Sequence, residues 1–242
     1  MAAALGWGAL AASSLVIGAL LAYARRWPER QVGLVLAFGA GALISAISFE
    51  LASEGIEVGS IRSTALGLGL GALAFVFLDG RIDAHFAKGG GRTGRAQADD
   101  PGIALALGAF LDGIPEQLVL GIGLAAGEGV GLGLLVAIFV SNLPESIGSA
   151  TEMDDAGEPR HRVIRLWLAV AAVCTVATVI GYAIADLTSG ELRAGIDGFA
   201  AGALLVMLID SMIPDATRQS GRVAGLVTTL GFAVATALSS LD

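Results

Sequence analysis

Two short stretches of the 242-residue chain place carboxylates where a chain normally avoids them. One reads Asp112-Gly-Ile-Pro115-Glu116-Gln117, the other Ser141-Asn142-Leu-Pro144-Glu145-Ser146, and both lie inside long apolar runs. In each, Glu follows Pro, and an oxygen-bearing side chain stands four residues earlier, on the same helix face. Each proline removes one N–H and frees a carbonyl, that of Leu111 or Val140. A carboxylate at the centre of a membrane helix costs roughly 2.5–3.5 kcal/mol, so residues of this kind mark function. No Lys or Arg falls near the middle of any apolar run to neutralise them. Asp112, Glu116, Ser141, Asn142 and Glu145 are therefore expected to converge oxygen atoms on a cation near mid-membrane.

The elements that must position these residues follow from composition. The chain is 55% hydrophobic with 35 glycines, and only 15% charged, against about 25% for a soluble domain. A soluble globular enzyme is excluded, and so is disorder. A bilayer span needs about 20 residues, and apolar runs of that size fall at 4–24, 32–52, 62–80, 102–126, 129–151, 163–185, 194–213 and 221–240. The first lacks the basic leader of a signal peptide, because Arg25 and Arg26 follow it, and reads as a retained span. With the N-terminus outside, the alternate loops carry Arg25, Arg26, Arg30, Arg81, Lys88, Arg92, Arg95, Arg160, Arg162, Arg165, Arg218 and Arg222. Only Arg62 and Arg193 of the 14 basic residues then lie on the other side, as the positive-inside rule requires. The expected fold is an all-α membrane protein: eight transmembrane helices, both termini outside, multi-pass in the cell (inner) membrane. Residues 81–101, rich in Gly, read as a flexible cytoplasmic loop.

Two internal repeats refine that picture. Phe38-Gly-Ala-Gly-Ala-Leu43 in the second span resembles Phe199-Ala-Ala-Gly-Ala-Leu204 in the seventh, and a carboxylate, Glu50 or Asp210, follows each by eleven or twelve residues. The two spans run in opposite directions, as do the spans bearing the Pro-Glu pairs. A 3+2+3 inverted-repeat bundle is expected, a recurring build of transporters. Glu50 and Asp210, near span ends, are candidate gate or vestibule residues. Asp79, Glu152 and Asp186 read as interfacial, and Met207 and Cys174 as core packing.

Other function classes find little support. The net charge of −8 disfavours a nucleic-acid partner. The single cysteine excludes a disulfide framework and a cysteine zinc site. The Gly67-x-Gly69-x-Gly71 and Gly127-x-Gly129-x-Gly131-x-Gly133 runs lack the strand and spacing of a phosphate loop. His85 and His161 fall in loops, and no histidine lies in any span, so an intramembrane hydrolase has no catalytic pair. No catalytic residue is assigned.

Taken together, the Pro-Glu pairs, the Phe199-Ala-Ala-Gly-Ala203 stretch and the following Asp210-Ser-Met-Ile-Pro-Asp215 resemble the ZIP divalent-metal transporters, particularly their bacterial, short-loop branch. That resemblance implies eight spans with both termini outside and a metal site, often binuclear, halfway through the membrane. Glu116 and Glu145 match its motif carboxylates and would be the central ligands. Asp112 and Ser141 stand where the family commonly carries histidine, Gly113 replaces Asn, and Gln117 and Ser146 replace glycines. An oxygen-only donor set implies a site less zinc-selective than the family norm, favouring Mn²⁺ or Fe²⁺. The expected substrate is a divalent metal ion of the zinc, manganese or iron class, the surroundings a lipid bilayer, and the assembly, by resemblance alone, a homodimer. The alternative is a non-transporting relative that senses metal or acts as a scaffold, because the motif histidines are gone.

Overall fold

The computed structural model describes residues 1–86, 101–126, 131–187 and 189–240; the description does not extend to the side chains of 82–83, 85–86, 101–112, 126 and 186. Among these residues there is no strand. The chain forms α1 (Ala2–Ala24), α2 (Glu29–Val58), α3 (Ile61–Phe86), α4 (Pro101–Ala126), α5 (Leu132–Asp155), α6 (Arg160–Ile184), α7 (Gly190–Ser220) and α8 (Val223–Ser239). Six of them, α1, α2, α3, α5, α6 and α7, are long and apolar enough to cross a membrane. The protein is an α-helical, multi-pass membrane protein.

Several helices outrun the apolar stretches that announced them. α3 continues to Phe86, so Arg81 and His85 belong to a helix, not to a loop, and the remainder of the expected flexible loop, 87–100, lies outside the described residues. His161 likewise sits in the first turn of α6. α2 and α7 reach 30 and 31 residues, each through a wider π turn, at Ile47–Ser53 in α2 and Leu208–Met212 in α7. Both π turns begin nine residues after the repeated phenylalanine, Phe38 or Phe199. Such turns are uncommon and concentrate at functional sites.

Glycine lets the helices approach closely. α2 lies along α8, α3 along α7, α4 along α6, and α1 against α5 and α6. A Cβ on Gly41 of α2 would sit 1.8 Å from the Thr228 carbonyl oxygen of α8. One on Gly202 of α7 would sit 2.0 Å from the Leu68 carbonyl oxygen of α3. Gly41 and Gly202 occupy the same place in the two Phe-x-Ala-Gly-Ala-Leu stretches. On the opposite face of α3, Leu66, Leu70, Leu73 and Phe77 are exposed, the surface a hydrocarbon environment covers.

The two ends of the bundle differ in charge. At the basic end Arg26 pairs with Asp155 at 3.0 Å, and the Arg160 guanidinium lies 5.0 Å from the Tyr23 ring centre, joining α1 to the α5–α6 corner. Gly157 and Gly221 turn the chain there with φ of 86° and 65°, a region open mainly to glycine. The acidic end carries Glu50, Glu54, Glu191 and Asp197. Ser189 caps α7 at this end by accepting the Leu192 N–H at 3.3 Å.

Candidate functional site

Pro115 and Pro144 sit inside unbroken helices. Around them α4 and α5 bury three of the polar residues that the sequence singled out. Glu116 is 1% exposed, and Ser141 and Asn142 are 3% exposed each, whereas Glu145 is half-buried. All four line one cavity of about 90 Å³ that runs from mid-helix to the basic end. The Asn142 amide nitrogen is buried with no hydrogen-bond partner among the described residues, so a donor and a carbonyl-bearing amide are held at the cavity without a fixed protein contact. Asp112 lies one turn before Glu116 on α4, and its side chain lies outside the described residues.

The remainder of the lining is a set the sequence did not assign. Along α5 the wall continues from Ser141 and Glu145 through Gly148 and Ser149 to Glu152, and along α7 it runs Met207, Ser211, Asp215, Gln219. Both series have helical spacing, and that spacing was the available signal. Glu152, expected at an interface, is exposed near the basic end and also lines the cavity. Met207 is 4% exposed, as core packing predicts, yet it also faces the cavity together with Met212. Two methionines thus line the cavity beside the oxygen-bearing side chains. α2 closes the wall with Val32 and Leu36. Its Gly39 permits close approach, since a Cβ there would sit 2.9 Å from Ser141 Cα and 3.0 Å from the Met212 terminal methyl. At the mouth Arg218 pairs with Asp215 at 3.1 Å and is 61% exposed.

A second cavity, of about 150 Å³, opens at the acidic end. Glu50 and Glu54 of α2, Arg193 and Asp197 of α7, and Val119, Leu120 and Gly123 of α4 line it. Glu50 accepts the Leu134 backbone N–H at 2.9 Å, in the first turn of α5, and also accepts the Ser239 hydroxyl of α8. A carboxylate at a helix N-terminus is favoured by its free N–H groups. Arg193 donates to Glu54, and its Nε lies 3.9 Å from Asp197, which is 2% exposed. Asp210, paired with Glu50 in the sequence reading, is exposed on the α7 π turn and lines neither cavity. The matching register is instead sixteen residues after each phenylalanine, at Glu54 and Asp215, each lining its own cavity.

Between the cavities lies a band of apolar side chains. Leu43, Ile138 and Leu204 are all 1% exposed or less. On α4 Glu116 faces one cavity and Val119 the other, a separation of about 5 Å along the axis. The polar cluster thus communicates with the basic end and is shut off from the acidic end.

Gln117 and Ser146, which follow the two Pro-Glu pairs, serve packing. The Thr178 hydroxyl of α6 donates to the fully buried Gln117 Oε1 at 2.5 Å. The Ser146 hydroxyl reaches its own helix at Asn142 O, 2.8 Å away, and α1 at Ser14 O, 3.4 Å away. These contacts hold the back of α4 and α5 while Glu116 and Glu145 face forward. Among the described residues no three His, Cys, Asp or Glu side chains gather into a ready metal cluster.

No protein-family model matches the chain. It is 30% identical over 215 residues to an Arabidopsis thaliana protein named "Putative zinc transporter", an alignment covering 86% of this chain and 34% of that relative. The chain thus spans about a third of the length of the curated relative it matches, a protein whose name agrees with the ZIP resemblance read from the motifs.

Proposed function

We propose that the chain is a divalent-metal transporter of ZIP type, with Glu116 and Glu145 as the central ligands and Asp112, Ser141 and Asn142 completing the set. One observation carries the reading: a buried carboxylate-amide-hydroxyl cluster lines the deep part of one cavity, and a second cavity from the opposite end comes within one turn of α4 of it. A transporter needs a central site reachable from either side but not from both at once. The name of the Arabidopsis thaliana relative supports the same substrate class.

In this reading all eight helices cross the bilayer, the basic end faces the cytoplasm, and both termini lie outside. The matched positions in α2 and α7 support the 3+2+3 inverted repeat. The substrate is an ion of the zinc, manganese or iron class. Carboxylate and amide oxygens favour Mn²⁺ or Fe²⁺, while the sulfurs of Met207 and Met212 add soft donors that widen the set toward zinc. A bound divalent ion adds positive charge beside the carboxylates of Glu116 and Glu145, displacing protons from them as it binds.

Uptake into proteoliposomes with a panel of Zn²⁺, Mn²⁺, Fe²⁺, Co²⁺, Cd²⁺ and Mg²⁺, wild type beside Glu116→Ala, tests the proposal. Uptake of at least one ion that vanishes in the variant is expected. A folded, inserted wild type that moves none of them would overturn it.

A further inference from the structure

The two cavities are built from the same register of α2 and α7. Counting back from the repeated phenylalanines, Val32 and Leu36 stand six and two residues before Phe38, and Arg193 and Asp197 stand six and two before Phe199. The first pair lines the basic-end cavity and the second pair the acidic-end cavity. Where one cavity has two apolar side chains, its counterpart holds an ion pair.

That pair is deeply set. The Arg193 side chain is 12% exposed and that of Asp197 3%, and on its other side Arg193 donates to Glu54 across the cavity wall from α7 to α2. Burying charges is costly unless each is matched, so Asp197 needs a cation beside it. We propose that Arg193 is a built-in cation of the acidic-end cavity. Its guanidinium occupies the negative charge of Glu54 and Asp197, and a divalent cation approaching from this end does so in competition with it.

The consequence for transport rests on the transporter reading; the competition itself does not. In the present conformation Glu54 is held by a tethered monocation, so the cavity admits a metal ion only as the guanidinium swings aside. A divalent ion has the advantage of charge and the guanidinium that of being covalently present. The arrangement suppresses loading by weakly attracted ions without any barrier in the backbone. The basic-end cavity has Leu36 and Val32 at these two positions, neither of which can act as such a competitor.

A cysteine at Gly123 tests this directly, because Gly123 lines the cavity and a Cβ there meets nothing within 4 Å. The native thiol, Cys174, is the only one in the chain and is replaced by Ala. The full-length protein in detergent is labelled with a positively charged thiol reagent, and Mn²⁺ is titrated as the competitor. In Arg193→Gln the Mn²⁺ concentration that halves the labelling rate is expected to fall on the order of tenfold, the effect of one unit charge at short range. Arg193→Lys should behave as the parent. Because Asp197 left alone could unfold the single variant, Arg193→Gln/Asp197→Asn is made as well, and it too should fall, through the released Glu54. Unchanged Mn²⁺ protection in Arg193→Gln, or in Arg193→Gln/Asp197→Asn where the single variant does not fold, would overturn the proposal. Metal uptake is not part of this readout, so absent uptake would sink the transporter reading while leaving the assignment of Arg193 standing.

Discussion

The cavities at the two ends of the bundle use equivalent stretches of α2 and α7 yet solve different problems. At the acidic end every charged group that lines the cavity is held: Glu50 by the first turn of α5 and the Ser239 hydroxyl, Glu54 and Asp197 by Arg193. At the basic end the deep wall is Val32 and Leu36, and the polar groups of α5 and α7 face an open volume that reaches exposed Arg218. Repetition supplies the same backbone twice, including a π turn nine residues after each phenylalanine. Side chains at two matched positions, Val32 against Arg193 and Leu36 against Asp197, then give one cavity an ion pair and the other an apolar approach to Glu116. Equivalent geometry with different charge is how one scaffold presents two unlike faces to a central site.

The sharpest test of this contrast is Glu116→Ala, which removes the buried carboxylate at which the open cavity ends. Metal uptake should drop by about a hundredfold or more, since losing even a group that only supports a metal ligand costs about 10–100-fold. Uptake equal to wild type would mean that the open cavity is not the path. Planting a cation at the open end is the next largest change. Val32→Arg places at that end the charge that Arg193 carries at the other, and initial uptake rates should fall about tenfold; an unaltered rate would remove the argument from register. Acidification should weaken Mn²⁺ binding by up to about tenfold per pH unit for each proton displaced from the carboxylates, and calorimetry in two buffers would read the proton release.

Two smaller effects sharpen the comparison. Gly41→Ala and Gly202→Ala occupy the same register in α2 and α7, and each Cβ would meet a carbonyl oxygen at 2.0 Å or less. Each should cost about 1–3 kcal/mol by overpacking, and similar losses of thermal stability in detergent would show that the halves are packed alike. A large difference between them would show that the repeat is not maintained in the packing. Thr178→Val leaves buried Gln117 without its donor and should cost about 1–2 kcal/mol, read as a shift in the melting temperature with uptake retained.

Much of this was legible in the chain itself. Long apolar runs with few charges required membrane helices, and the Pro-Glu pairs drew attention to Glu116 and Glu145 because a carboxylate in that setting needs a purpose. The similarity of Phe38–Leu43 to Phe199–Leu204 was visible as well. Its carboxylate partner was not: Asp210 lies eleven residues after Phe199 and is exposed, whereas Asp215, at sixteen, lines the cavity as Glu54 does. A π turn adds a residue to one turn and rotates everything after it, so a face counted at 3.6 residues per turn drifts beyond it. Glu152, read as interfacial from its place near a helix end, is exposed there and also lines the basic-end cavity, because position along a helix does not fix which neighbour a residue faces.

Local chemistry thus determined the helices, the prolines within them and the residues too costly to bury without use, because those depend on each segment's own composition and on the solvent. Which cavity a side chain enters, whether Arg193 meets Glu54 and Asp197, and which end of the path is closed were decided only by the tertiary structure. Those outcomes depend on the rotation and closeness of neighbouring helices, set by glycines and π turns whose partners lie far away in the sequence.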